Sequence, residues 1–232
     1  MTVEQRPAWW VVRPSLEYQH AFDWTALQVH RHDGSAGVFA SSAFYARELC
    51  KRLAACDVRL QPVGLWSPPG QDAATWLGPE VDPSRIQALE ALSLPLLSGA
   101  VWAEPEMGDG QRVLQQIRQA LRPEGQVCVV ASDWPASYLP EWRQTNPPAA
   151  RPAGRRRTVA WLRQAGFEVE TSYGFHGPVS LLWGFAARWM GRFGRDDWAD
   201  RCHFQMRAKY AVKGWQLPFA PVGVILAQRG GW

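Results

Sequence analysis

The sequence lacks the motifs that mark several common classes of enzyme. No GxSxG, HExxH or P-loop motif occurs, so serine hydrolysis, zinc-peptidase chemistry and P-loop nucleotide binding have no support. Cysteine is scarce, and no two cysteines form a CxxC pair of the kind found in zinc ribbons and thioredoxin-like redox sites. The four cysteines are Cys50, Cys56, Cys128 and Cys202.

A segment that would export the chain or anchor it in a membrane is also lacking. Residues 1–10, MTVEQRPAWW, do not show the charged-then-apolar pattern of a signal peptide. The longest apolar stretch, residues 178–190, is interrupted by Gly184 and Arg188 and is shorter than the about 20 apolar residues that span a bilayer. With the unpaired cysteines, these absences predict a reduced, cytoplasmic location.

The net positive charge of the chain is small, which argues against a groove that binds nucleic acid. The 25 Lys and Arg exceed the 21 Asp and Glu by a formal net charge of +4 in 232 residues. Much of the positive charge lies at Arg151 and at residues 155–157, beside Pro and Gly, as is typical of a solvated basic loop. We therefore expect no nucleic-acid partner; contact of this patch with phosphate, anionic lipid or an acidic protein is the alternative.

The sequence does contain alternating strand and helix patterns. Leu27 and Val29, after the apolar approach of residues 22–26 and before a turn at 30–34, predict a first strand. Further strands are predicted at 57–66, around Val101, at 126–132, at 167–171 and at 220–229. Helices are predicted over 42–56, after Asp109 with a face of Val113, Leu114, Ile117 and Leu121, and over 158–165, ending at Gly166. The alternation predicts a parallel sheet, and the last two strands, which lack a crossover helix, predict an antiparallel pair at its edge.

Three segments of the second half resemble motifs of class I S-adenosylmethionine (SAM)-dependent methyltransferases of the methyltransferase type 11 kind. Residues 94–106, LPLLSGAVWAEPE, resemble the family's "LPF…gsFD.V" segment. Residues 121–125, LRPEG, resemble its "LRPGG" before strand five, and residues 165–167, AGF, resemble its "aGF" before strand six. The order and spacing agree with the family over about 140 residues.

This resemblance implies a three-layer, Rossmann-like α/β methyltransferase fold. Its sheet would be mostly parallel with an antiparallel C-terminal edge strand, and residues 1–232 would form a single domain. Within it, residues 1–21 are interpreted as an N-terminal arm, and residues 174–215 as an insertion rich in Trp and Arg. The cofactor that the resemblance implies is SAM.

The resemblance also locates a SAM pocket with altered motifs. The family's "L(D/E)VGCGTG" falls on residues 27–34, where Gln28 replaces the acidic residue and His30 and His32 replace two glycines. Those glycines leave the backbone of the turn bare for the cofactor, and side chains there would obstruct it. The acidic residue that ends strand two and accepts hydrogen bonds from the ribose hydroxyls is replaced by Trp66. The implied cofactor-binding positions are Gln28, His30, His32, Asp33, Gly34 and Trp66.

Two functions are compatible with these motifs. A degraded pocket predicts a pseudoenzyme, a non-catalytic binding or scaffold subunit that has lost SAM binding. The alternative is an active, divergent methyltransferase acting on a small or lipid-like acceptor, with Glu104, Asp133 or His176 as a candidate general base. The catalytic residue is not identified by the sequence.

A metal site is not predicted. Residues 30–33 superficially resemble the HxHxDH signature of metallo-hydrolases, because alternate strand residues can direct two imidazoles at one ion. However, Asp33 comes one position early and the following histidine is absent.

The segment 180–198 is the most distinctive part of the insertion. Its large apolar residues Leu182, Phe185, Trp189 and Phe193 recur at helical spacing, and Arg188, Arg192 and Arg195 form another side. A helix that caps the pocket or packs on the sheet explains this pattern most simply. As a surface it would suit a protein partner or an anionic membrane. The glycines cost about 1 kcal/mol each in a helix interior, so we expect a protein partner or a lid rather than lipid. These glycines are Gly184, Gly191 and Gly194.

Overall fold

The computed structural model describes nine ranges of the chain. They are residues 16–32, 35–40, 43–65, 86–88, 97–103, 110–133, 152–176, 178–210 and 220–230.

Seven strands in these ranges form one sheet in the order β3-β2-β1-β4-β5-β7-β6. All adjacent pairs are parallel except those that β7 makes with β5 and β6, which are antiparallel. The predicted fold class is therefore confirmed: the sheet is mostly parallel, and its antiparallel pairs lie at one edge, where β6 is outermost and β7 is next to it. The strands are β1 Ser35–Ala40, β2 Arg59–Leu65, β3 Ile86–Ala88, β4 Leu97–Ala103, β5 Leu121–Ser132, β6 Phe167–Phe175 and β7 Val222–Arg229.

Six helices are described, and four of them cover the two faces of the sheet. α1 and α2 pack on one face, with the core that contains Val38 and Val130, whereas α3 and α4 pack on the other, with Phe39 and Val129. Successive strand residues point to opposite faces, so each strand contributes to both cores. The helices are α1 Leu16–His32, α2 Ala43–Ala55, α3 Gly110–Ala120, α4 Arg155–Gln164, α5 Pro178–Arg192 and α6 Asp196–Tyr210.

The predicted first strand at residues 27–29 is wrong, because these residues belong to α1. Buried residues Tyr18, Phe22, Ala26 and Val29 recur every three or four positions, which is the period of a helix on a core. The first strand is instead the short segment SAGVFA, which begins at Ser35. Residues 16–21, expected in an N-terminal arm, are the first turns of α1; residues 1–15 lie outside the described ranges.

The remaining predicted elements agree with the structure apart from their ends. The helix expected over 42–56 is α2, the strand expected over 57–66 is β2, and the final strand is β7. Gly166, with a positive φ of 80°, follows the end of α4 as predicted. Leu121, expected on the face of α3, is instead the first residue of β5 and pairs with Leu97.

The insertion between β6 and β7 contains a helical hairpin. α5 packs along α6, and the turn between them includes Gly194 at a positive φ of 68°. A glycine tolerates this left-handed conformation without steric cost, so the chain can reverse direction there. Residues 211–215 of the insertion lie outside the described ranges.

Candidate functional site

The strand order identifies where a ligand would bind. After β1 the chain adds β2 and β3 on one side of it, then returns to place β4 on the other side. Open α/β sheets bind ligands beyond the carboxyl ends of the strands at such a switch point. The strand ends there are Ala40 of β1 and Ala103 of β4, both buried. We call the space beyond them the crevice.

Three hydrogen-bonded hydroxyl groups lie at the carboxyl edge of the sheet, on the face that α1 covers. The hydroxyl oxygen of Tyr18 lies 2.6 Å from Oγ of Ser132, the last residue of β5. The Tyr45 hydroxyl donates a hydrogen bond of 3.3 Å to the Tyr18 hydroxyl. All three side chains are buried, and the two phenol rings are 5.3 Å apart. Aromatic rings from α1 and α2 therefore occupy this region, and their polar ends are satisfied within the protein.

A pair of histidines lies at the same edge of the sheet. Nδ1 of His20 and Nε2 of His176 are 2.7 Å apart, and the two rings are stacked with centroids 4.8 Å apart. His176 follows β6 directly, is buried, and has a positive φ of 62°. A non-glycine residue at positive φ is uncommon and is held there by its surroundings, and such residues cluster at functional sites. One ring must donate and the other accept, so the pair can hold a proton between two elements that are far apart in sequence.

Asp133 has a structural role that can be read from its contacts. It follows β5, and its Oδ2 accepts a hydrogen bond of 2.7 Å from Nε of Arg155. Its Oδ1 accepts a second bond of 2.9 Å from the backbone N–H of Arg155, the first residue of α4. A carboxylate bound to an arginine and to a helix N-terminus is well satisfied as an anion. Asp133 therefore anchors α4 to the sheet and is less suited to act as a general base than His176.

Of the predicted cofactor positions, Gln28, His30 and His32 lie in described residues, and none of these three is at the crevice. Gln28 and His30 lie in α1, whose last residue, His32, is two residues before β1 begins. They are thus near the amino end of β1, and the prediction that His30 and His32 lie at the carboxyl end of the first strand is wrong. The physical reason is the helical period of α1, which continues to Val29. Asp33, Gly34 and Trp66, and the candidate base Glu104, lie outside the described ranges.

The observed first strand moves the expected glycine-rich turn to a new position. Placed at the end of the observed β1, the family's motif would fall on residues 37–44, with Val38 at the acidic position and Ala40 and Ser42 at two glycine positions. The sequence has no glycine from Val38 to Val63. The second expected position does not move, because β2 ends at Leu65 and Trp66 follows it.

Sequence reasoning missed the residues that the structure brings to this edge. Tyr18 and Ser132 are 114 positions apart, and His20 and His176 are 156 apart. The four-residue spacing of Tyr18 and Phe22 is a helical signal that could have revealed α1. No local signal could have paired the two histidines.

Neither of two core cysteines is suited to nucleophilic chemistry. Burial raises the pKa of the Cys50 thiol to about 12, and burial, with a smaller contribution from the charge of Glu170, raises the pKa of Cys128 to about 12. The thiolate is the reactive form, so these thiols are inert at neutral pH. Among the described residues, no group of three or more His, Cys, Asp or Glu side chains is placed to hold a metal ion.

Comparison with known proteins places the fold. No protein-family model and no curated protein sequence matches the chain. The solved structure of the [4+2]-cyclase SpnF is similar with a TM-score of 0.54 at 15% identity, over 96% of this chain and 86% of SpnF. A SAM-dependent methyltransferase from Mesorhizobium loti has a TM-score of 0.51 at 14% identity, over 91% and 100% of the two chains.

A third neighbour was solved with a cofactor product. The N-methyltransferase NodS from Bradyrhizobium japonicum, in complex with S-adenosylhomocysteine, has a TM-score of 0.50 at 11% identity, over 93% of this chain and 88% of NodS. At these identities the likeness shows the fold, which is methyltransferase-like, as the three sequence segments predicted. The type 11 subfamily stays a prediction.

Proposed function

We propose that this chain is a methyltransferase-fold protein that has lost its SAM pocket and acts as a non-catalytic binding subunit. The observation that carries the proposal is the chemistry of the two strand ends beside the crevice. β1 continues into Ala40-Ser41-Ser42, with no glycine, and β2 continues into Trp66, with no carboxylate.

Each replacement removes an interaction that the cofactor would need. A bare backbone lets the amino-acid and ribose parts approach the turn after β1, and side chains on consecutive residues prevent this approach. A carboxylate at the end of β2 would accept hydrogen bonds from both ribose hydroxyls, whereas an indole has a donor and no acceptor. The buried rings of Tyr18 and Tyr45 support the proposal, because they already occupy space at the carboxyl edge of the sheet.

Calorimetric titration with SAM and with S-adenosylhomocysteine tests the proposal. We expect no binding heat for either compound at concentrations up to about tenfold above those that saturate an active methyltransferase run in parallel. A Ser42→Gly/Trp66→Asp variant provides the matched comparison, since it returns a glycine and a carboxylate to the two strand ends. It should bind S-adenosylhomocysteine more tightly than the native chain. Saturable binding to the native chain that this variant does not improve would refute the proposal.

A second candidate is an active enzyme, and the His20–His176 pair is the observation that favours it. An imidazole hydrogen-bonded to a second imidazole at the carboxyl edge is placed to take a proton from a small or lipid-like acceptor. The SpnF neighbour is named as a [4+2]-cyclase, so the fold is not confined to one reaction. If SAM binds, methyl transfer that falls at least about 100-fold in His176→Ala, with cofactor affinity unchanged, would favour the enzyme.

A further inference from the structure

The helical hairpin of α5 and α6 packs with small residues and exposes large ones. Gly184 and Ala187 of α5 are buried, as are Ala199 and Cys202 of α6, where the two helices pack together. Three large apolar side chains of α5 and one in the turn that follows it are exposed, whereas Trp183 is partly buried. We call the exposed four the aromatic stripe, which consists of Leu182 (70% exposed), Phe185 (60%), Trp189 (50%) and Phe193 (66%).

The stripe is continuous because its helix is continuous. α5 extends from Pro178 to Arg192 through Gly184 and Gly191, and the chain turns only at Gly194. Gly184 and Gly191 therefore do not interrupt α5, and the expectation of a protein partner or a lid rather than lipid stays a prediction. Gly184 is buried, whereas Gly191 is exposed.

Positive charge accompanies the stripe. At helical spacing Arg188 and Arg192 lie beside Phe185, on one flank of the stripe, and Arg195 is in the turn that follows. The hairpin, residues 178–210, contains six Arg or Lys and three Asp, so it has a net charge of +3 out of +4 for the whole chain. Its second exposed tryptophan, Trp198, has the Arg201 guanidinium 5.6 Å from its ring centroid.

This combination is the physical description of an interfacial helix. Such a helix lies in the plane of a bilayer, buries aromatic and aliphatic side chains at the boundary of the headgroups, and offers arginine to lipid phosphates. No helix of the described residues is long and apolar enough to cross a membrane, so the contact would be with the surface of the bilayer. The aromatics lie together on one face, flanked by arginine, which is the arrangement that a membrane requires and a general protein interface does not.

We propose that the aromatic stripe docks this protein onto anionic lipid bilayers. The excess positive charge of the hairpin complements anionic headgroups, and the exposed rings provide the apolar anchor. α5 begins two residues after His176, so the docking surface starts from the edge of the sheet that carries the crevice. The proposal does not depend on whether SAM binds.

Sedimentation with sucrose-loaded vesicles tests it. The full chain should bind vesicles of phosphatidylcholine containing about 30% phosphatidylserine, and should bind pure phosphatidylcholine much more weakly. Trp189→Ala/Phe193→Ala should weaken binding at least about tenfold, because two exposed rings that would insert among the lipid headgroups are lost. Arg188→Gln/Arg192→Gln should weaken it about fivefold for each arginine removed, and less in high salt. Leu27→Ala, which removes an exposed apolar side chain from α1, is the matched control and should bind as the native chain does.

Three results would overturn the proposal. The first is a native chain that stays in the supernatant with anionic vesicles, and the second is a Trp189→Ala/Phe193→Ala variant that binds like the native chain. The third is a stripe-dependent dimer, seen by light scattering, that forms without vesicle binding and would identify the stripe as a protein interface. Circular dichroism establishes that each variant is folded. If Trp189→Ala/Phe193→Ala does not fold, Leu182→Ser/Phe185→Ser, at the other end of the stripe, replaces it. The same loss of vesicle binding is expected.

Discussion

α1 and α5 are helices of similar length and aromatic content with opposite surroundings. α1 has 17 residues and buries Tyr18 and Phe22 completely. α5 has 15 residues and leaves Phe185 and Trp189 half exposed or more. The first contributes to the core that covers one face of the sheet, whereas the second packs mainly on another helix.

The difference shows that aromatic content does not decide burial. α1 contacts β1, β4, β5, β6 and β7, and large side chains fill the wide space between a helix and a twisted sheet. α5 instead packs mainly on α6, and its buried residues Gly184 and Ala187 are small. Small residues are thus buried in α5, whereas Phe185 and Trp189 are exposed.

At neutral pH the largest expected effect is on the α1 side of the comparison. Phe22→Ala should lower the free energy of unfolding by about 3–5 kcal/mol, because it removes a fully buried ring from a core that can collapse only partly around the cavity. Urea unfolding followed by circular dichroism measures this. Leu27→Ala in the same helix is the control, and should cost less than about 0.5 kcal/mol because Leu27 is exposed. Equal losses in the two variants would mean that α1 does not pack as described.

The second expected effect is a loss of stability at alkaline pH. It arises from Cys50 and Cys128, which lie in the core beneath α1. Both thiols have a pKa of about 12 in the folded protein, above the ordinary value of 9.0. Below pH 9 both are neutral in the folded and the unfolded chain, so their contribution to stability is fully present there. As pH rises from 9 towards 12 the unfolded chain ionises first, and each thiol should cost about 1.4 kcal/mol of stability per pH unit.

Unfolding of the native chain and of Cys50→Ala/Cys128→Ala across this pH range isolates the thiols from other groups that titrate there. The stability of the variant should fall less steeply with pH. Parallel curves for the two proteins would show that these thiols are not held neutral by burial.

The smallest effect is expected at the aromatic stripe. Trp189→Ala should change the free energy of unfolding by less than about 0.5 kcal/mol, because a half-exposed side chain on a helix surface contributes little to the core. The same urea titration checks it. A loss above about 2 kcal/mol would break the comparison, since it would mean that another part of the chain covers the stripe and that α5 is as buried as α1.

The fold could be predicted from local patterns wherever one pattern was unambiguous. The apolar run at 126–132 and the helical stripe of Tyr45, Leu49 and Leu53 each fit one structure only, and both predictions are confirmed. The first strand was misplaced because Leu27–Val29 fits a short strand when read alone, and fits a helix only when read together with Tyr18 and Phe22. That one-element error moved the expected cofactor turn from the carboxyl end of β1 to its amino end.

The sequence by itself determined the alternation of strands and helices and the antiparallel final strand. It also determined that no carboxylate follows the second strand, because Trp66 is at that position. These properties depend on residue type and spacing over at most a few turns of chain, which is the range over which sequence periodicity acts. Only the tertiary structure decided that Tyr18 contacts Ser132, that His20 pairs with His176, and that Phe185 and Trp189 are exposed. Those contacts depend on how the sheet and its helices pack, and packing brings together side chains more than a hundred residues apart.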